Sequence, residues 1–520
     1  MAVAIVFISS QVIDTATVYK PLKPTSLMYI PIDERPVNLS YVTEILAATN
    51  TTLLIPPVEL LSQKGQAANI EGLWEWILAE CSACNYLVLA SDAVIYGGLI
   101  PSRTHNSEFT VLEEYLNRLD KIKEHNPQLK IYTYSTVMRT PREGTDEEPA
   151  YYRRYGAEIF KLSALRDKKE LSTLNPEENR QLEELEAQIP VEVLEDWSKR
   201  RQKNQAVNQL LLKKCREGIV DYLVLCRDDC AIYSQSNLEY RQLSSLAVEL
   251  DLENYVSFPG TDEVGLILLT RAFNDIHGLR PKVAVCYAPG AGGDTIPGYE
   301  DQRVEESILQ RIVATGSEFV DDIKACDLLL AVNTPEDGVT GEAALASNIV
   351  REDRAQEIFI QDLKRHLANK RQVALADIKF ANGADNSLLY YLAEQKLIPN
   401  IVAYSGFNTA GNSIGYALGQ GLLAPYMSWE DRSRILLARF LDDWGYQANI
   451  RQQVYAEKIV PMGLEKHNVG KQKTYIEEYI KERLLEFREQ YLPKFPACEI
   501  EVRIPWNRIF EVEVICQTRT

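Results

Sequence analysis

YLVLCRDDC, residues 222–230, decides how the chain is read. Its apolar run shows no polar alternation, which suits a strand buried on both faces of a parallel sheet. The acidic pair Asp228 and Asp229 then falls just past the strand's carboxyl end, where parallel α/β folds place their ligands. Runs of the same kind recur at LMYIPID (27–33), TLLIP (52–56), YLVLAS (86–91), KIYTYS (130–135), YVSFP (255–259), KVAVCYA (282–288), LLLAV (328–332), VALADI (373–378) and IVAYSG (401–406). Most precede a helix-like pattern, and strands alternating with helices imply crossover connections and parallel pairing.

The fold expected is therefore α/β with mostly parallel sheets arranged as two doubly wound domains, because ten such runs exceed the eight strands of a plain barrel. A decorated β/α barrel is the alternative. The divisions read from composition are an N-terminal extension (1–26), a first α/β domain (27–278), a second (279–425) and a C-terminal region of helices with a β-hairpin (426–520). Within the first domain, residues 152–218 are charged, helix-favouring and almost free of glycine, and read as a helical insertion. Its Leu and Ile at helical spacing serve either a homo-oligomer contact or a solvated hairpin packed on its own domain. The C-terminal CEIEVRIPWNRIFEVEVIC alternates apolar and charged residues on either side of PWNR, as a half-exposed hairpin does.

With 46% hydrophobic and 25% charged residues the composition is that of a globular protein, and no run is long enough to span a membrane. A formal charge of −18 opposes binding to nucleic acid or anionic lipid, leaving a small-molecule substrate as the expected partner. The nine cysteines read as core thiols of a cytoplasmic chain, and the isolated Cys81-x-x-Cys84 completes no zinc or redox motif. The apolar start MAVAIVFISS lacks a basic opening and leaves a signal peptide weakly indicated.

The chemistry gathers after the strands. DERPVN supplies Asp33, Glu34, Arg35 and Asn38; SDAVIYGGLIPSR supplies Asp92 and Arg103; PGTDE supplies Asp262 and Glu263; ADIKFANGAD supplies Asn382 and Asp385; GFNTAGN supplies Asn408 and Asn412. Asp, Asn and Thr also cap helices, so any single acid reads first as a cap and only then as catalytic, and Asn408 or Thr409 in particular reads as the cap of a helix beginning near Ala410. Capping does not call for arginines beside the acids, and Arg35, Arg103, Arg139 and Arg227 all stand there. Asp228, Asp229, Asp92 and Asp33 are the catalytic candidates; Glu34, Arg35, Asn38, Arg103, Asp262, Glu263, Asn382, Asp385, Asn408 and Asn412 are the substrate-binding ones. Adjacent Asp228 and Asp229 need a turn to face one ligand, since neighbours in an extended segment point to opposite faces. If they converge, repulsion raises one pKa and separates a general acid from an ionised partner.

No cofactor is expected: the chain has no Walker A and no dinucleotide fingerprint, and PGAGGDTIPG reads as a loop closing over substrate. Mg²⁺ or Mn²⁺ is the one metal class the residues would suit, through Asp33, Asp92, Asp228 and Asp377. Five histidines in no dense motif disfavour zinc and a Ser-His-Asp hydrolase alike.

Taken together, IPIDERPVN, SDAVIYGGLIPSR, RDD, PGTDEVGLILLTRA, PGYED, LADIKFANGAD and YSGFNTAGNSIG resemble a large bacterial family of unknown function. The chain departs from that pattern at Phe407, where the family usually carries tryptophan, and in CRDDC, where glutamine often precedes the acids. The resemblance implies that the blocks share one site and carries no activity with it. From the residues themselves, the expected function is an enzyme on a carbohydrate or other polyhydroxylated molecule, a hydrolase with paired carboxylates. The alternatives are a divalent-metal-dependent isomerase or lyase and a noncatalytic sugar-binding protein.

Overall fold

The computed structural model describes residues 20, 22–144 and 147–518. The segment read as a weak signal peptide lies outside the described residues. All ten apolar runs form strands of two parallel sheets. The first comprises β1 (Thr25–Ile30), β2 (Thr51–Leu54), β3 (Tyr86–Ala90), β4 (Lys130–Val137), β5 (Tyr222–Arg227) and β6 (Tyr255–Pro259), in the order β2-β1-β3-β4-β5-β6. In the second half the chain forms β7 (Lys282–Tyr287), β8 (Glu318–Phe319), β9 (Leu328–Asn333), β10 (Gly341–Glu342), β11 (Val373–Asp377), β12 (Phe380–Ala381) and β13 (Ala403–Ser405). Of these, β13-β11-β9-β7-β8 make the second sheet, while β10 and β12 pair in a short ladder beside it. Every pairing in both main sheets is parallel.

Among the described residues each sheet is open, with β2 and β6 at the edges of one and β13 and β8 at the edges of the other, so the barrel alternative is set aside. The physical reason is visible in the order, which runs outward in both directions from β1 and β3 instead of closing. β5 and β9 are buried along their whole length, which is what uninterrupted apolar runs require.

Helices Val264–Ile276, Val304–Ala314 and Ala410–Leu423 lie between the sheets, and one hydrophobic core runs through them from Leu27 to Ile435. Every residue of Ala410–Leu423 is buried, and a side chain at Gly415 would meet the Glu263 side chain. Such close approach explains why this helix is built from small residues.

The expected insertion is three helices, Tyr152–Leu171, Pro176–Gln188 and Val191–Arg216, with a small core of their own that includes Tyr152, Ile159, Leu162, Leu182 and Trp197. Asn175 and Glu178 form a capping box at the start of the second. After Trp429–Arg439 the helix widens into a π-helix, Phe440–Ile450, a form frequent at functional sites. Helix Lys473–Tyr491 follows, and the chain ends in the antiparallel hairpin β14 (Cys498–Arg503) and β15 (Glu513–Thr518). Among the described residues no helix is long and apolar enough to cross a membrane.

Candidate active site

At the carboxyl ends of the first sheet, Asp33 follows β1, Arg139 follows β4, Asp228 and Asp229 follow β5, and Asp262 follows β6. Asp33 and Asp262 hold Arg35 between them. Its Nε donates to Asp33 Oδ2 at 2.9 Å, and its two terminal nitrogens fork onto Asp262 at 2.6 and 3.2 Å. Asn38 donates to Asp33 Oδ1 at 2.8 Å. Burial, with Asp33 beside it, pushes the Glu34 carboxyl up to about 7, and its Oε1 accepts from Trp506 at 2.8 Å.

A second group forms around β4 and β5. Arg103 donates to Asp228 Oδ2 at 2.5 Å and Arg139 to Asp229 Oδ2 at 2.8 Å. Both arginines also grip Glu147, at 3.3 and 3.1 Å, and Arg139 reaches Glu148 at 2.7 Å. Asp229 sits at φ +35°, and this left-handed turn brings two adjacent carboxylates onto arginines that share Glu147. The Oδ1 atoms of Asp228 and Asp229 carry no hydrogen bond among the described residues, and these side chains are 17% and 29% exposed. Burial and the repulsion of Asp228 outweigh Arg139 and Arg103, pushing Asp229 up to about 6.

The hairpin turn joins the two groups. Arg508 donates to Glu147 at 2.6 Å and to Glu511 at 2.7 Å, and Trp506 lies between the guanidiniums of Arg35 (5.1 Å) and Arg508 (4.5 Å). Against the cost of burial, Arg139, Arg103 and Arg508 hold the Glu147 carboxyl far below its usual range.

The second sheet contributes a neighbouring rim. The Cys230 amide donates to the Tyr299 carbonyl at 2.9 Å, and the Tyr299 hydroxyl donates to Glu342 at 2.9 Å. Glu342 also accepts from Asn382 at 2.9 Å, whose own amide donates to the Asn408 carbonyl at 2.7 Å. Asn382 and Asn408 both adopt left-handed φ, +60° and +54°, which asparagine tolerates better than most residues.

Other candidates lie apart from this network. Both oxygens of Asp92 accept from Thr136, at 2.6 and 3.0 Å, so Asp92 braces β3 against β4; burial pushes it up to about 6. Glu263 pairs with buried Arg311 at 2.6 Å. Asp385 caps helix Asn386–Glu394 and accepts from Gln356 at 2.7 Å. Asp377 accepts from Asn333 at 2.8 Å, and burial beside Asp385 pushes it up to about 7. Asn412 is buried, and among the described residues its Oδ1 has no hydrogen-bond partner. The helix at Ala410 takes no side-chain cap from Asn408 or Thr409; the Gly411 amide donates instead to Glu300, at 2.5 Å, from the PGYED block.

Asp33, Asp92, Asp228 and Asp377, the set suited to Mg²⁺ or Mn²⁺, are thus separately engaged, and among the described residues no group of three or more metal-ligating side chains could hold an ion. Sequence reasoning passed over Glu147, Glu148, Glu342, Trp506, Arg508 and Glu511. For Glu147 and Glu148 a signal existed, since their acidic segment follows β4 as RDD follows β5.

The model of the family described as "Protein of unknown function (DUF4127)" matches residues 27–515. The chain belongs to that family. The DUF4127 match reaches from β1 into β15 and so includes both sheets and the hairpin turn that carries Arg508. No curated protein matches the chain.

Proposed function

We propose that the chain is an enzyme acting on a carbohydrate or another polyhydroxylated small molecule, a hydrolase in which Asp229 donates a proton and Asp228 is its anionic partner. The observation that carries this reading is the turn at Asp229, which sets both carboxylates on one arginine network with an uncommitted oxygen each. A carboxyl pushed up to about 6 is matched to proton donation near neutral pH. In glycoside hydrolysis such a group protonates the leaving oxygen as the C–O bond breaks, and water completes the bond at the sugar carbon, with the second carboxylate acting as base or nucleophile. Asn382 and Asn408, both partly exposed, supply donors and acceptors of the kind hydroxyls require, while Arg35 and Asn38 are buried on Asp33 and Asp262.

The test is turnover of a panel of glycosides by the full chain, with Mg²⁺, Mn²⁺ or EDTA added. Asp229→Asn and Asp228→Asn should each lower kcat/KM by about 100-fold or more, with the unfolding midpoint retained. Unchanged turnover in the double variant refutes the assignment. Loss in EDTA and recovery in Mn²⁺ would favour the isomerase or lyase, and sugar binding without turnover the noncatalytic binder.

A further inference from the structure

We propose that a pocket beside the arginine and carboxylate network is an anion subsite, and that the substrate carries a carboxylate or phosphate on its sugar; this rests on the carbohydrate reading above. The pocket, of about 370 Å³, is lined by Arg451, Gln452, Tyr455, Lys466, His467 and Phe510. That volume falls at the small end for ligand sites and accommodates one substituted ring. A chain of net charge −18 here places an arginine, a lysine and a histidine around one cavity.

Arg451 is the decisive residue. Its guanidinium donates to Gln447 Oε1 (2.7 Å), the Phe510 carbonyl (3.2 Å) and the Asn382 carbonyl (3.4 Å), all uncharged. Among the described residues it forms no ion pair, and its Nε has no acceptor. Glu342 and Asp442 act on it only through space, and burial holds it below the usual arginine range. A half-buried guanidinium without a counter-ion has donors to spare, and a bound carboxylate or phosphate would supply the partner bidentately.

The surroundings suit a sugar. Phe510 and Tyr455 stay 37% and 42% exposed, and Phe510 stands between Arg451 (5.5 Å) and Arg508 (5.2 Å). Arg508 binds Glu147 of the network, while the Asn382 carbonyl that Arg451 holds belongs to the turn at the opposite rim. The pocket thus adjoins the network through Phe510 and Arg508 on one side and through Asn382 on the other.

The experiment is calorimetric titration of the full chain with glucose, glucuronate, glucose 6-phosphate and inorganic phosphate, repeated with Arg451→Gln, Lys466→Gln and Asp229→Asn. At least one of glucuronate and glucose 6-phosphate should bind about tenfold or more tightly than glucose, the interaction expected of a charge-assisted bidentate contact. Preference for glucuronate assigns a carboxylate, and preference for glucose 6-phosphate a phosphate. Arg451→Gln should abolish the preference. Lys466 is exposed, so Lys466→Gln should fold and still weaken anion binding about threefold. Asp229→Asn should keep the preference, so failure of the catalytic assignment leaves a distinct result. Equal binding of glucose and both acids, no response to any anion, or a preference untouched by both basic-residue substitutions overturns the proposal.

Discussion

The contact between Glu147 and Arg508 joins a loop after β4 to the C-terminal hairpin turn, so replacing each by Gln, singly and together, tests whether the hairpin completes the site. The pair is 2.6 Å apart, with side chains 26% and 9% exposed. A charged hydrogen bond contributes about 1.5–3 kcal/mol when buried and an exposed ion pair about 0–1. At intermediate exposure a coupling of about 1.5 kcal/mol is expected. Each single variant should lose about 2 kcal/mol, since Glu147 also serves Arg103 and Arg139 and leaves them under-neutralised. Urea unfolding followed by both tryptophan fluorescence and circular dichroism gives the four free energies, and coincidence of the two probes checks that the transition is cooperative. A coupling below about 0.4 kcal/mol, the level at which independent sites add, would refute a hairpin bound to the network through this pair.

Several carboxyls are raised by burial: Asp229 and Asp92 to about 6, Asp377, Asp443 and Glu300 to about 7. An acid whose folded pKa lies above its unfolded value favours folding while protonated, and that stability is lost as pH rises from about 4 through 7; Tm should therefore fall from pH 5 to pH 8, and a rise in differential scanning fluorimetry would contradict it. Glu147, held low, acts in the opposite sense only below its ordinary value of 4.5. Arg439 pairs with buried Asp442 at 2.8 Å and Asp443 at 3.4 Å, so Arg439→Met should lower stability by about 3–5 kcal/mol in chemical denaturation. A Cβ at Gly411 would stand 2.8 Å from the Pro259 carbonyl, and Gly411→Ala should lower stability by about 1–3 kcal/mol in the same assay.

The main sheets were legible because burial on both faces leaves a direct mark, an apolar run such as YLVLC with no alternation. The two-residue strands β8, β10 and β12 left no such mark, being too short for any pattern. The π-helix at Phe440–Ile450 was equally hidden, because FLDDWGYQANI reads as ordinary helix while the wider winding depends on what it packs against. There Asp443 accepts from the Gly406 amide at 2.8 Å, pinning the GFNTAGN block from a segment 37 residues on. The acids at strand ends were visible as a group, but their grouping was not: Asp92 serves Thr136, whereas Asp33 and Asp262, 229 positions apart, converge on Arg35. Arg508 meets Glu147 across 361 positions, and a hairpin turn of Trp, Asn and Arg offers no local sign of where it docks.

The most direct test of the proton donor is a carboxyl ¹³C titration of the full chain, with the Asp229 signal assigned by its loss in Asp229→Asn. The midpoint should lie near 6 and fall in Asp228→Asn, because burial and then Asp228 are what raise it. A midpoint at or below about 4, the ordinary aspartate value, would contradict Asp229 as the acid of this site.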